Sequence, residues 1–313
     1  MIKICQKQNK LREKKVLLFT HTDLDGVSCF VIAKQHFNFV RFFLCDYGNI
    51  ETRMKENMEL LDSFDMVLLT DLSVSVEFAK EYSKICKEKN IEFYILDHHE
   101  KALQLGLNDF DFARILIHNK ENKLTCGTEL VHEFCLELGS TVTNETIESY
   151  IEDVRQYDTW EWKSTGNLRA NDLNTLSHLI SSKKYLISFS TKFRKNKYEF
   201  SEFEKAVLEM EYDKINYYVT KKMKNVTKKE ILGYSCGIIF AEQYINEIAE
   251  ELKKDESIDI AVIIGFNGVS YRTAKEIDLN AFAGHFGGGG HIRAAGSTIP
   301  ETAKEEYLNQ IFK

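Results

Sequence analysis

Three short apolar runs stand out in the first hundred residues: VLLFT at 16–20, MVLLT at 66–70 and EFYIL at 92–96. Each is followed at once by polar or acidic residues. Runs of this length without alternation read as strands buried on both faces of a parallel sheet. Residues 26–37 and 76–89 have helical character and supply the crossovers. Helical patterning returns from about 127 to 155. Residues 183–230 are rich in Lys, Glu and aromatics and nearly free of turn residues, which predicts long amphipathic helices. A new unit begins near 231, where ILGYSCGIIFA and DIAVIIGF predict strands and GVSYRTA an edge strand. The glycine cluster at 287–290 is expected to open a helix. The pattern as a whole predicts an α/β protein. It has a parallel-sheet domain over 1–182, a helical linker over 183–230 and a smaller C-terminal α/β domain over 231–313.

Composition narrows the function classes. The chain has 313 residues, 43% hydrophobic, enough for two domains with separate cores. Its net charge of -7 argues against a protein that grips long duplex DNA by the backbone, so a nucleic-acid substrate should be short or held in a local basic groove. Seven cysteines stand at irregular spacing with no C-x-x-C pair, against a disulfide framework or a zinc knuckle. Residues 1–15 are polar and basic, and no apolar run approaches a membrane span of roughly 18 residues, so a cytoplasmic protein without membrane association is expected.

Four segments carry candidate chemistry, each expected just after a strand. HTDLDG holds His21, Asp23 and Asp25, three ligand-type side chains within five positions. Carboxylates this close repel one another unless cations neutralise them. TDLS holds Asp71, LDHHE holds Asp97, His98 and His99, and RQYDTW holds Asp158. Carboxylates after apolar strands fall where open α/β sheets place their ligands. Together His21, Asp23, Asp25, Asp71, His98 and Asp158 form the mixed nitrogen and oxygen set that two divalent cations roughly 3.5–4 Å apart require. Such a set suits Mn²⁺ better than a thiolate-loving metal.

HTDLDG, Asp71, Asp97-His98-His99 and Asp158, in this order and spacing, resemble the four motifs of the DHH phosphoesterase superfamily. FGGGGHIRAAG near the C-terminus resembles the glycine-rich signature of the DHH-associated substrate-binding domain. The resemblance implies two divalent ions, Mn²⁺ foremost with Mg²⁺ or Co²⁺ as alternatives. His21, Asp23 and Asp71 would hold one ion, and Asp25, Asp71, His98 and Asp158 the other. His99 would face the scissile phosphate and Asp97 would brace the histidines. The chain departs from many members in that His21 precedes Asp23 by two positions rather than four. The expected chemistry is in-line attack on phosphorus by a hydroxide held between the cations, without a covalent enzyme intermediate.

In the C-terminal segment Gly288, Gly289 and Gly290 are expected to form an anion-binding nest, with charge-assisted contacts from Arg272 and His291, and with His285 either in the same pocket or capping the loop. Trp160, Trp162 and Tyr157 are candidates for base stacking or for core packing between the domains. The compact plan resembles the nano-RNase branch, which implies hydrolysis of short single-stranded RNA or DNA fragments of about two to five nucleotides; a homodimer is compatible with it. Alternatives are 3′-phosphatase action on adenosine 3′,5′-bisphosphate, cleavage of linear or cyclic dinucleotides, a RecJ-type exonuclease, and a non-catalytic nucleotide-binding protein.

Overall fold

The computed structural model describes residues 10–180, 182–193 and 198–313. Most of the polar opening stretch (1–9, with Cys5) and part of the expected helical region (194–197) lie outside the described residues. Two compact units divide between Leu208 and Glu209.

The first unit opens with strand β1 (Lys15–His21), helix α1 (Leu24–His36), β2 (Phe39–Cys45), α2 (Ile50–Glu56), β3 (Met66–Thr70), α3 (Val76–Glu88), β4 (Glu92–Asp97), α4 (Glu100–Gln104) and β5 (Ala113–Ile115). Helices α5 (Gly127–Glu137), α6 (Glu145–Asp158), α7 (Trp162–Thr165), α8 (Leu168–Leu179), α9 (Ser182–Lys192) and α10 (Glu202–Met223) follow. The five strands are all parallel, in the order β2-β1-β3-β4-β5. Side chains alternate across them, so Leu17, Phe19, Val67, Leu69 and Ile95 face a core closed by α2 and α3. Helix α1 is buried almost all round and packs against α5, α6 and α9, which is why its sequence carries no polar stripe. Strand β2 was not legible as a run. It is an edge strand with Phe39 and Arg41 exposed, so an apolar block has no reason to form there.

The connection from β1 leads to one side of the sheet, to β2, and the next leads back to β3 on the other side. The carboxyl ends of β1 and β3 thus flank the point where the strand order reverses, and loops there open a crevice. His21 and Asp71 lie at this point.

The second unit contains the C-terminal half of α10, then β6 (Thr227–Ile231), β7 (Tyr234–Phe240), α11 (Ile245–Leu252), β8 (Ile260–Ile264), β9 (Gly268–Arg272), α12 (Leu279–Gly284), β10 (Gly289–His291), β11 (Ala294–Thr298) and α13 (Glu301–Ile311). The strands form a sheet in the order β10-β11-β9-β8-β7-β6, antiparallel except for the β7–β8 pair. Helix α11 packs on Ile239, Ala261 and Ile263, and α12 on Val262 and Tyr271 on the opposite face.

Three expectations change here. GVSYRTA, expected at an edge, forms β9, which pairs on both sides, with β11 and with β8. The stretch 183–230 is not a free-standing linker. Val219, with Ile215, Tyr218 and Met223, packs into the second core, and β6 already starts at Thr227. Amphipathic positions spaced for a helix cannot say which partner they will bury against. The glycine cluster also opens no helix; it follows α12 and runs into β10. Glycine is a poor helix former, and these glycines shape a tight hairpin instead.

Candidate metal centre

Asp23 caps α1: its carboxylate accepts from the Gly26 amide at 2.9 Å. That turn buries Asp25, which is 1% exposed. Its two oxygens accept from the amides of Gly127 at 2.6 Å and Thr128 at 2.8 Å. The first turn of α5 is thus folded around a carboxylate, and its unpaired amides supply the donors. Gly127 must be glycine here, since a Cβ would stand 2.9 Å from Asp71 Cβ and 3.0 Å from Asp25 Oδ2. Sequence reasoning missed Gly127 and Thr128; the only signal was a glycine at a helix start.

Asp71 follows β3 with φ 57°, a left-handed backbone uncommon outside glycine. Its amide donates to Leu96 O at 2.9 Å, which holds the residue in that conformation. His98 Nε2 lies 3.2 Å from Asp71 Oδ1, 3.6 Å from Asp25 Oδ2 and 3.5 Å from Asp158 Oδ2. His21 Nδ1 lies 2.8 Å from Asp23 Oδ2 and 3.9 Å from Asp71 Oδ2. His99 Nδ1 meets Asp97 Oδ1 at 2.7 Å, and Ser73 donates to the other Asp97 oxygen. Asp158 corrects one expectation: it is the last residue of α6, not a residue after a strand. The buried guanidinium of Arg155 holds that helix end, pairing with Glu152 at 2.7 Å and Glu161 at 2.6 Å and donating to Leu124 O at 3.0 Å. An apolar-run reading has no means of finding a ligand at a helix end.

All eight sequence-predicted residues of the first unit therefore converge. Ligand atoms of His21, Asp23 and Asp71 lie within 4.8 Å of one another, as do those of Asp25, His98 and Asp158, and those of Asp71, Asp97, His98 and His99. The electrostatics suit cations. Burial first, then the charges of Asp25 and Asp23, push Asp71 and Asp158 well above the usual carboxylate range. Burial lowers the pKa of His98 and so favours the neutral imidazole that ligates metals. For His99 burial opposes the charge, but the hydrogen bond and charge of Asp97 outweigh it and the pKa rises. Asp71 Oδ2 is buried with no hydrogen-bond partner, an orphaned acceptor aimed into this cluster. An all nitrogen-and-oxygen donor set with a surplus of carboxylates fits hard divalent cations.

Arg272, Gly288, Gly289, Gly290, His291 and His285 lie in the second unit. Arg272 pairs in register with Ala294, and Ala294 with His291, so the three side chains form one row across β9, β11 and β10 on one face. The same face, one row on, carries Ser270, Gly296 and Gly289, and it floors a cleft of about 610 Å³ bordered by Ile245, Phe266, Gly287 and Gly288. A Cβ on Gly288 would stand 2.1 Å from Gly296 O, so this glycine serves backbone approach. The expected amide nest is absent: Gly287, Gly288 and Gly290 already donate to Gly284 O, Ala283 O and Asn280 Oδ1. His285 caps α12, its Nδ1 2.9 Å from Ala281 O. Near Asp158, Tyr157 and Trp162 stack with centroids 6.1 Å apart, while Trp160 is 55% exposed with Lys163 Nζ 4.8 Å from its ring centre.

Residues 228–313 match the DHHA1 domain. The chain is 29% identical over 305 residues to oligoribonuclease NrnB of Bacillus subtilis, covering 95% of this chain and 76% of that protein. The chain resembles the DHH family, and its match to the DHHA1 domain is confined to residues 228–313. Among solved structures, the pGpG-specific phosphodiesterase PggH of Vibrio cholerae superposes with a TM-score of 0.58 at 14% identity, covering 95% of this chain and 97% of that one. Exonuclease RecJ bound to manganese superposes with a TM-score of 0.51 at 12% identity, covering 98% and 92%. At these identities the superpositions speak for the DHH fold alone. No helix among the described residues is long and apolar enough to cross a membrane.

Proposed function

We propose that this chain is a DHH-family, metal-dependent phosphodiesterase that hydrolyses short oligonucleotides of about two to five nucleotides to mononucleotides. One observation carries the reading: His98 Nε2 lies within 3.6 Å of three carboxylates from separate segments, at the reversal point of a parallel sheet. NrnB, with which the chain shares nearly its whole length, supports the substrate class.

His21, Asp23 and Asp71 would hold one divalent ion, and Asp25, His98 and Asp158, with Asp71 shared, a second; Mn²⁺ suits this donor set best. Bound there, the ions would lower the pKa of water to near neutrality and offset charge on the phosphoryl oxygens. The chain's own residues do the rest. The Gly127 and Thr128 amides fix Asp25 so that both oxygens keep one orientation. Asp97 orients His99 through Nδ1, which leaves Nε2 to donate to a phosphoryl oxygen. Arg272 and His291 stand in one row, suited to a phosphate or ribose at the substrate's end, and Trp160 offers a face for a base.

A second reading is supported by the cleft in the second unit, which at about 610 Å³ has room for one nucleotide: cleavage of linear or cyclic dinucleotides. Incubation with Mn²⁺ and a ladder of 5′-labelled RNAs of two to ten nucleotides, alongside a cyclic dinucleotide, tests both. Rapid loss of the dimer to pentamer, with mononucleotide products, is expected. A ladder left intact, or cut fastest at its longest members, would contradict the proposal.

A further inference from the structure

The first unit carries a cavity of about 400 Å³ that opens from Asp97 and His99, and the mechanism above leaves it without a task. Its floor is apolar: Ile50, Val74 and Ala102 are each no more than 3% exposed. Its rim is polar, with the hydroxyls of Thr52, Ser73 and Ser75 and the Lys101 side chain. The Ser73–Ser75 wall is pinned by Glu51, whose Oε1 accepts from the Ser75 amide at 2.9 Å and the Ser75 hydroxyl at 2.7 Å. Lys101 makes no ion pair among the described residues. At the mouth, Tyr47 is 53% exposed. Its ring stands edge-on to His99 with centroids 6.0 Å apart and lies 5.5 Å from His21. An aromatic face beside the metal centre, an apolar floor and one uncommitted cation match a nucleoside with its phosphate. They match neither an apolar ligand nor a free anion, which would have no use for the ring.

We propose that this cavity is a nucleoside subsite. Tyr47 stacks on one of the two bases flanking the scissile phosphate, and Lys101 pairs with a phosphate of that same nucleotide. The inference rests on the phosphodiesterase reading and adds to it a base-holding site built wholly from the first unit, between residues 47 and 105.

The test couples residue to base. Wild type, Tyr47→Ala, Tyr47→Phe and Lys101→Ala are assayed with Mn²⁺ on a dinucleotide and on its two singly abasic analogues. Stacking is worth roughly 1–3 kcal/mol per base, so Tyr47→Ala should lower kcat/KM on the dinucleotide about five- to 150-fold, mainly through KM. On the analogue that lacks the base held by the cavity, the ratio of wild type to Tyr47→Ala should collapse towards one. Tyr47→Phe should retain the ring's effect, and Lys101→Ala should raise KM in a salt-dependent way. An equal loss on all three substrates, or none on the dinucleotide, overturns the subsite while leaving the phosphodiesterase reading standing. A wild-type chain that hydrolyses none of the three removes both. Thermal melting of each variant separates misfolding from lost binding, and Tyr47 is exposed enough that its truncation should leave the fold intact.

Discussion

Gly127 donates its amide to Asp25 Oδ2 at 2.6 Å across 102 residues of chain, and the missing side chain makes that approach feasible. A Cβ there would press on Asp25, on Asp71 and, at 3.2 Å, on Cys29 Sγ. Gly127→Ala should therefore cost about 1–3 kcal/mol through overpacking and shift two carboxylates at once. Chemical denaturation should show the destabilisation. Titration with Mn²⁺ should show affinity at least about tenfold weaker. Unchanged metal affinity would mean that α5 does not set the Asp25 geometry.

Asp71 is buried among carboxylates that repel its charge. Asp71→Asn should leave the chelator-treated protein as stable as wild type or more so, because a buried like charge is gone. It should abolish most of the Mn²⁺-induced rise in melting temperature, which for wild type reflects about 2.7 kcal/mol at a hundredfold excess over Kd. Asp71→Ala should fall below about a tenth of wild-type turnover, a change of roughly 1.4 kcal/mol or more in the barrier. Melting curves with and without metal, alongside the assay, check both effects.

His36 shares its Nε2 with His132 Nδ1 at 3.1 Å and its Nδ1 with Ser140 at 2.8 Å, deep behind the sheet. Burial, then the charges of His132 and Arg12, hold its pKa down to about 3. The folded pKa thus lies below the unfolded value of about 6.5, so the unfolded chain takes up the proton first as pH falls. This contribution to stability is complete above about pH 6.5 and declines towards pH 3, at up to roughly 1.4 kcal/mol per pH unit. Urea unfolding in chelator between pH 7.5 and 5 should show the decline, and His36→Gln should make it shallower by about one proton. Equal slopes in the two proteins would count against the pair as the source.

Length selectivity follows from charge. With a net charge of -7 the chain as a whole repels a long phosphate backbone, which favours short substrates. Dimers and trimers should be degraded faster than a thirty-mer at equal concentration of ends. The reverse order in a competition assay would point to a processive exonuclease.

Arg272 and His291 share a sheet face in the second unit and none of the metal-ligand clusters. Replacing either by Ala should leave the Mn²⁺ content as in wild type. Each should lower kcat/KM on dinucleotides about ten- to a hundredfold, as loss of a charge-assisted contact worth roughly 1.5–3 kcal/mol predicts. The preference for dinucleotide over bis-p-nitrophenyl phosphate should fall by the same factor. Loss of metal from Arg272→Ala would end the proposed division between cutting and gripping.

The sequence by itself determined the elements with a strong local cause. Buried strands such as Met66–Thr70 must be apolar along their whole length, and carboxylates and histidines gathered as HTDLDG and LDHHE have few structural uses. Both signals survive in one dimension. What no local pattern encodes was left to the tertiary structure. Edge strand β2 needs no apolar block because only one side of it pairs. The glycine run reads as a nest until the acceptors of its amides, Ala283 O, Gly284 O and Asn280 Oδ1, are known. Gly127 and Tyr47 reach the centre from positions distant in sequence, one with a missing Cβ and the other with an exposed ring, and Arg155 ties the end of α6 to Leu124 O across 31 residues. Their roles depend on where the chain returns in space, and that return is fixed by the packing of α1 and the sheet against their neighbours, not by the residues beside them.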